Sequence, residues 1–340
     1  MVSRDEEYTL RIDDLYVYIK LINGEVRAVN GLNLYVRPGE SVGIGGESGC
    51  GKSIAMKAVM RLLPREAYIP RGEILYRYAD GREVDMVGLK EESRELLEVR
   101  RLGMSMVFQE PSASLSPLHT VYQQIQEALD GRRMMTHKQR LDECVRLLGL
   151  VGINQPERWV KEYPFRLSGG MAQRVMIAQA IAKKPNLLFA DEPTTAVDVT
   201  VQSQVLKLLD ELREELDISM VFITHNMGIM AHMTERIYII YLGKVVETAR
   251  TSELFKNPKH PYTKGLIACT PMLNMSKSTR LYNIPGMVKP DDAFMAGCNF
   301  YHRCGAAIPG LCDKVPPPET DFGSEHKVSC HLYAREEQGE

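Results

Sequence analysis

The chain reads as an α/β protein built on a mostly parallel sheet, ending in a loop-rich tail. Three observations predict this. Strand-like and helical apolar runs alternate from about residue 169 to residue 247. ESVGI at 40–44 reads as a buried strand that enters a glycine loop and then a helical run, KSIAMKAVMRLL at 52–63. Beyond about residue 250, prolines at 258, 261, 271, 285, 290, 309 and 316–318 break all periodicity.

From the N-terminus, residues 9–19 and 26–36 alternate β-branched or aromatic with polar residues, which predicts two strands turning at NGE, 23–25. The helix at 52–63 should stop at Pro64. Residues 72–107 mix short strands with a charged helix, EESRELLEVRR, and 120 to about 165 is helical. Then follow a helix at 169–183, strand NLLFA, a helix at 199–215, strand SMVFIT, a helix from 226, and RIYIIYLGKVVE. A loop-rich tail of this kind needs something besides an apolar core to hold it.

Composition limits the function classes. A net charge of −2 gives no basic field for nucleic acid or an anionic membrane. No run approaches the ~20 apolar residues of a spanning helix. The acidic start, MVSRDEEYTLRIDDL, does not resemble a signal peptide, so a cytoplasmic location is expected. There thiols stay reduced, and clustered cysteines point to metal rather than disulfides.

GESGCGKS supplies the first chemistry. Gly46, Glu47, Ser48, Gly49, Cys50, Gly51, Lys52 and Ser53 fit G-x-x-x-x-G-K-[S/T] between a strand and a helix. The glycines let successive N–H groups face phosphate oxygens, Lys52 adds charge at the β- and γ-phosphates, and Ser53 offers a hydroxyl to Mg²⁺. This predicts ATP-type nucleotide binding. NLLFADEP then ends a strand in two acids that point to opposite faces. Asp191 suits the Mg²⁺ shell, and Glu192 suits a general base for the attacking water.

LSGGMAQRVMIAQAIA, at 167–182, resembles the signature of ABC-type ATPases. Ser168, Gly169 and Gly170 open a helix, a second anion site. The resemblance implies an ABC-type P-loop ATPase core with an antiparallel β subdomain, a helical subdomain and a loop-rich C-terminal extension. It implies that the second site serves the γ-phosphate of a partner cassette. It also implies that Gln109 in VFQEP senses Mg²⁺ and water, that Asp198 in TAVD crosses the dimer interface, and that His225 in FITHN contacts γ-phosphate. The family's adenine-stacking aromatic falls on Ile19 here, so either Tyr18 stacks on the base or the base packs on aliphatic surface.

SASLSPLHTVYQQIQEAL, EYPFRLSGGM, DEPTTAVDVTVQSQVLKLLDEL and NPKHPYTKGLIACTP narrow the resemblance to oligopeptide/dipeptide importer ATPases, over roughly residues 9–333. That branch commonly carries a 4Fe-4S cluster in its C-terminal extension. Cys298, Cys304, Cys312 and Cys330 form C-x5-C-x7-C-x17-C, enough thiolates for one cubane or one tetrahedral zinc. The spacing alone chooses neither, and a metal of either kind would close loops that a small core could not. Cys50, Cys144 and Cys269 read as structural, and His302 and His331 as surface residues.

The expected organisation is therefore a nucleotide-binding domain at 1–250, with its helical subdomain at about 110–170, and an extension at 251–340. The expected function is the ATP-hydrolysing subunit of an importer for oligopeptides, dipeptides or similar solutes, peripheral on the cytoplasmic face of the cell membrane. Its expected partners are two transmembrane permease subunits, a second cassette (a copy of itself or a homologous chain) and, indirectly, an extracellular solute-binding protein. The alternatives are another solute, such as an oligosaccharide or metal chelate, or an ABC ATPase acting on nucleic acid or ribosomes. The latter is disfavoured by the near-neutral charge and by the absence of a heptad-rich insertion in the about 115 residues between phosphate loop and signature.

Overall fold

The computed structural model describes residues 7–129, 135–195, 198–270 and 283–334. Ala196 and Val197 of the TAVD run and Pro271 of the NPKHPYTKGLIACTP run lie outside the described residues.

Alternating apolar residues fold the N-terminus into a hairpin, β1 (Leu10–Leu21) and β2 (Gly24–Val36). Leu10, Ile12, Leu15 and Val17 of β1 are buried with Val29, Leu32, Leu34 and Val36 of β2. After β3 (Ser41–Gly45), all of it buried, comes α1 (Lys52–Val59). That helix ends four residues short of the predicted Leu63. Arg61 turns left-handed at φ 54°, and the Leu62 N–H closes back on Lys57 O at 2.7 Å. This is a Schellman-type stop, upstream of Pro64. The Arg100 guanidinium also donates to Met60 O, at 3.0 Å, which secures the early exit.

β4 (Ala67–Arg77) and β5 (Glu83–Asp85) complete a four-stranded antiparallel sheet in the order β2-β1-β4-β5. The charged stretch forms α2 (Arg94–Glu98), capped by the Ser93 side chain, and leads into β6 (Met104–Val107). The helical part follows as α3 (Pro111–Ser114), α4 (Val121–Leu129), α5 (His137–Leu150) and α6 (Pro156–Trp159). A capping box, Thr136 with Gln139, starts α5.

The alternating region gives α7 (Gly169–Ala182), β7 (Leu187–Asp191), α8 (Val199–Leu216), β8 (Ser219–Thr224), α9 (Met227–Met233), β9 (Arg236–Tyr241) and β10 (Lys244–Arg250). Leu242 and Gly243, both at positive φ, turn β9 into β10. The tail supplies α10 (Thr251–Lys256), α11 (Pro261–Ala268) and a short hairpin, β11 (Glu319–Asp321) and β12 (Lys327–Ser329).

These strands form one eight-stranded sheet in the order β11-β12-β10-β9-β3-β8-β7-β6. The run β9-β3-β8-β7-β6 is parallel and the remaining pairs are antiparallel. The tail thus continues the core sheet. Strand alternation divides the interior: Leu188 and Ala190 of β7 pack with α4, α5, α7 and α8, while Leu187 and Phe189 face α1 and the antiparallel sheet. A third cluster joins β9, β10, α10 and α11 to Ile284, Ala293 and Phe300 of the tail, with Cys298 and Cys304 against it. The carboxyl ends of β3, β7 and β8 therefore open side by side, where open α/β sheets place their ligands.

Candidate nucleotide site

Gly46 to Gly51 leave the end of β3 and α1 begins at Lys52. Gly51, at φ 99°, is a requirement of the fold: a Cβ there would lie 2.0 Å from Ala28 O of β2. Gly46 is similarly pressed, its would-be Cβ 2.4 Å from Ile240 O of β9. The Lys52 ammonium is buried and donates to Gly46 O at 2.7 Å and Glu47 O at 2.9 Å. Cys50 is buried, and burial pushes its thiol pKa up.

The Ser53 hydroxyl donates to Asp191 Oδ1 at 2.9 Å. Burial raises the Asp191 carboxyl above its ordinary range; Ser53 opposes this and the neighbouring Glu192 reinforces it. Glu192, at φ 45°, turns out of β7 to the other side. Its Oε2 accepts from Gln109 Nε2 at 3.2 Å and from the Thr195 hydroxyl at 2.7 Å. Its Oε1 lies 2.7 Å from His225 Nδ1. Burial works to raise the Glu192 carboxyl, but the bonds from His225 and Thr195 outweigh it and hold the pKa below the ordinary range. Five residues read as one site from separate motifs, at 53, 109, 191, 192 and 225, thus converge.

Three of them, Ser53, Gln109 and Glu192, line one side of a cavity of about 430 Å³ with Ser48, Gly49, Gly51, Lys52 and Ile54, while Asp191 and His225 are not on its wall and bond to Ser53 and Glu192. On the other side stand Ile19, Val26, Arg27, Ala28 and Leu242, with Val288 and Pro290 from the tail. Tyr18 does not line it. Ile19 and Tyr18 are neighbours on β1, paired with Val26 and Arg27, so their side chains point to opposite sides of the strand. Tyr18 instead meets Tyr16 and Tyr68 edge-on, with Arg27 over its ring. Apart from Arg27, that wall of the cavity is aliphatic.

Ser168 caps α7 by accepting from the Met171 N–H at 3.3 Å, and Gly169 and Gly170 form its first turn. Gly170 backs onto Val201 of α8, where a Cβ would meet Val201 Cγ1 at 2.9 Å. Asp198 caps α8, accepting from the Thr200 and Val201 N–H groups at 3.0 Å. These residues do not line the cavity, and Ser168, Gly169 and Asp198 are exposed. They form a second, exposed cluster around Val201.

The ABC transporter family profile matches residues 29–195, and the profile of the oligopeptide/dipeptide transporter C-terminal region matches residues 246–312. A probable peptide ABC transporter ATP-binding protein of Sinorhizobium fredii is 39% identical over 322 residues, spanning 94% of each chain. The chain belongs to the ATP-binding subunits of the oligopeptide/dipeptide ABC transporter family. The oligopeptide transport ATP-binding protein OppD of Bacillus subtilis is 44% identical over 278 residues, 82% of this chain and 76% of that one. Among solved structures, the dimeric post-hydrolysis state of the ATP-binding cassette MJ0796 bound to ADP and Pi is 27% identical. It superposes at a TM-score of 0.62 over 71% of this chain and 98% of that one. The fold of this ABC subunit is the ATPase cassette fold, and its activity is ATP hydrolysis.

In the ABC subunit's tail, all four clustered cysteines are free thiols. The Cys298 N–H donates to Cys312 O at 2.7 Å, which brings two of their backbones together. Burial first, then neighbouring thiols including Cys304 and Cys312, push the Cys298 and Cys330 thiols up to about 11. Among the described residues, however, no three His, Cys, Asp or Glu side chains are grouped as they would be around a metal ion. His331, expected at the surface, is buried, with Nε2 2.9 Å from Val315 O. His302 is half-exposed beside Asp292, at 3.0 Å.

Sequence reasoning missed the site's contacts with the tail: Val288 and Pro290 at the cavity, and an ion pair between Arg303 and Glu47. The only available signal was adjacency, since Arg303 directly precedes Cys304 in YHRC. The HPYTKGL run has a structural reason. Glu247 of β10, fully buried, accepts from the backbone N–H groups of Lys259 and His260 at 2.7 and 2.9 Å and lies 2.8 Å from His326 Nε2. Tyr262 of the same run reaches the phosphate loop.

Proposed function

We propose that this ABC subunit hydrolyses ATP to drive uptake of oligopeptides or dipeptides through two membrane permease subunits, working as a pair of cassettes. The observation that carries the reading is the convergence of Gln109, Glu192 and His225 beside Lys52 and the Ser53–Asp191 pair. In it, Lys52 and the loop from Gly46 to Ser53 hold the phosphates, and Ser53, Asp191 and Gln109 attend Mg²⁺. Glu192, kept ionised, accepts the proton of the attacking water, and His225 holds the carboxylate and reaches γ-phosphate. Ser168, Gly169, Gly170 and Asp198 complete the site of a second cassette, a role supported by their exposure and by the dimeric MJ0796 structures. No helix among the described residues is long and apolar enough to cross a membrane, so the path through the bilayer belongs to partner chains. The cytoplasmic face follows from the need for ATP. Peptides as solute are supported by the names of the relatives in Sinorhizobium and Bacillus, and delivery by an extracellular solute-binding protein is part of the same proposal. The proposed division is 1–250 for the cassette, with its helical part at about 110–170, and 251–340 for the extension.

The extension's cysteines are proposed to hold a 4Fe-4S cluster, with Cys298, Cys304, Cys312 and Cys330 as ligands. Four free thiols, with Cys304 and Cys312 both near enough to raise the pKa of Cys298 and of Cys330, support it in donor chemistry. A single zinc ion is the lesser alternative, and the cysteine spacing alone chooses neither. A cluster would cross-link loops that carry little regular structure. Iron and sulfide determination on anaerobically purified chain tests it: about four of each supports the cluster, and one zinc or no metal overturns it.

The transport reading is tested by reconstituting the subunit with its permease in proteoliposomes. ATP hydrolysis that rises with a di- or oligopeptide and its binding protein, and peptide accumulation that Glu192→Gln abolishes, support it. Stimulation by a non-peptide solute instead would replace the solute, and absence of coupling to any permease would overturn the function.

A further inference from the structure

Every polar group of Glu47 is held. Its backbone N–H donates to the Tyr262 hydroxyl at 2.8 Å. Its carbonyl accepts from the Lys52 ammonium at 2.9 Å. Its carboxylate takes a two-pronged pair from Arg303, Nη1 to Oε2 at 2.7 Å and Nη2 to Oε1 at 3.0 Å. Such a fork fixes orientation as well as distance.

The arginine itself is anchored. Its side chain is only 4% exposed, against 30% for Glu47. Nε donates to Pro285 O at 2.9 Å and Nη1 to the Tyr241 hydroxyl at 3.4 Å. Tyr241 packs edge to face on Tyr262 and on Phe300 behind it, and Tyr262 and Phe300 meet at a tilt. The clamp therefore joins β9, α11 and the cysteine-bearing tail to the second residue of the loop.

A carboxylate within the loop is a liability for a polyanionic ligand, because it repels phosphate unless neutralised and turned aside. We propose that Arg303 is a positioning residue for ATP binding: by fixing and neutralising Glu47 it sets the start of the phosphate loop in the shape that receives the nucleotide. The proposal rests on the reading of residues 46–53 as the phosphate loop. It gives the extension a direct part in nucleotide binding, since the same segment also places Val288 and Pro290 on the cavity wall.

The test is calorimetric titration of full-length chain with Mg²⁺-ATP, together with steady-state hydrolysis. Arg303→Gln should weaken ATP binding about tenfold and raise KM accordingly, with kcat at saturating ATP within about twofold of the parent. Arg303→Lys should recover part of the affinity, since an ammonium can hold one oxygen but not both. Glu47→Gln should itself weaken binding several-fold, and in that background Arg303→Gln should add nothing further. Unchanged affinity in Arg303→Gln with only a lowered melting temperature overturns the proposal, as does an Arg303→Gln effect of the same size with Glu47 present or absent. If Arg303→Gln does not fold, unchanged affinity in Glu47→Gln overturns it from the other side of the pair. Lys52→Ala separates the two readings. Normal ATP binding by that variant would sink the phosphate-loop assignment, whereas its loss alongside an inert Arg303→Gln would sink only the role of Arg303.

Discussion

His225 Nδ1 sits 2.7 Å from Glu192 Oε1, while Gln109 and Thr195 occupy the other carboxylate oxygen. Both oxygens are thus engaged, and the carboxylate is held ionised and aimed. Glu192→Gln keeps this shape but removes the proton acceptor. Hydrolysis should fall at least about a hundredfold while ATP binding is retained. A stable ATP-bound dimer should appear in size-exclusion chromatography, and hydrolysis at the parental rate would show that another group takes the proton.

The same pair sets a pH dependence. His225 is one of the bonds that favour ionised Glu192, so the acid limb of kcat should lie below the ordinary carboxyl range. His225→Ala removes that bond, so the limb should move up in pH as the rate falls. An acid limb that stays in place would separate His225 from the ionisation of Glu192.

Asp191 is held at a cost. It is 5% exposed, and burial raises its pKa, which means its charge is disfavoured in this setting. Asp191→Asn should keep the bond from Ser53 and raise the melting temperature by a few degrees, corresponding to about 1 kcal/mol. It should also abolish Mg²⁺-dependent hydrolysis. Scanning calorimetry and a Mg²⁺ titration check the two halves separately. A lower melting temperature would mean that the ionised carboxylate stabilises the fold.

The base-side wall gives a third contrast. Ile19 and Val26 line the cavity, whereas Tyr18 faces the opposite side of the hairpin with Tyr16 and Tyr68. Ile19→Ala should weaken ATP binding a few-fold, by about 1 kcal/mol of lost apolar contact, and Tyr18→Ala should leave affinity unchanged. The reverse result in an ATP titration would put an aromatic stack back at Tyr18.

What was legible in the chain was what lies in short contiguous runs. The glycine loop, the acids after β7 and the residues at 109 and 225 each sit at a strand end, and a parallel sheet brings strand ends together without further information. Tyr18 could not be placed, because the β1–β2 register shifts between Val17 and Tyr18 and one residue of slip exchanges the two faces. The end of α1 was missed because Pro64 is the conspicuous breaker, while the actual stop is a left-handed Arg61 supported by Arg100, far along the chain. The Arg303–Glu47 pair spans 256 positions, and no local pattern marks either residue for the other.

Glu325, just before β12, ties the tail to the core. It pairs with Arg37, beyond β2, and with Arg250 at the end of β10, at 3.0 Å. Burial works to raise its carboxyl, but the two arginines outweigh it and lower the pKa from the ordinary 4.5 to about 2. A depressed acid contributes stability that is fully present above its unfolded pKa and lost as pH falls through the folded one. The contribution should therefore be constant above about pH 4.5 and vanish towards about pH 2. Because the group lies partly in water, screening limits it to about 1 kcal/mol. Denaturant unfolding of the parent and of Glu325→Gln at stepped pH measures it directly. The gap between the two curves should be flat from neutral pH down to the ordinary carboxyl range and close below it. A gap that closes instead near neutral pH would assign the effect to a histidine, and no gap at any pH would leave the arginines without a role in holding the tail.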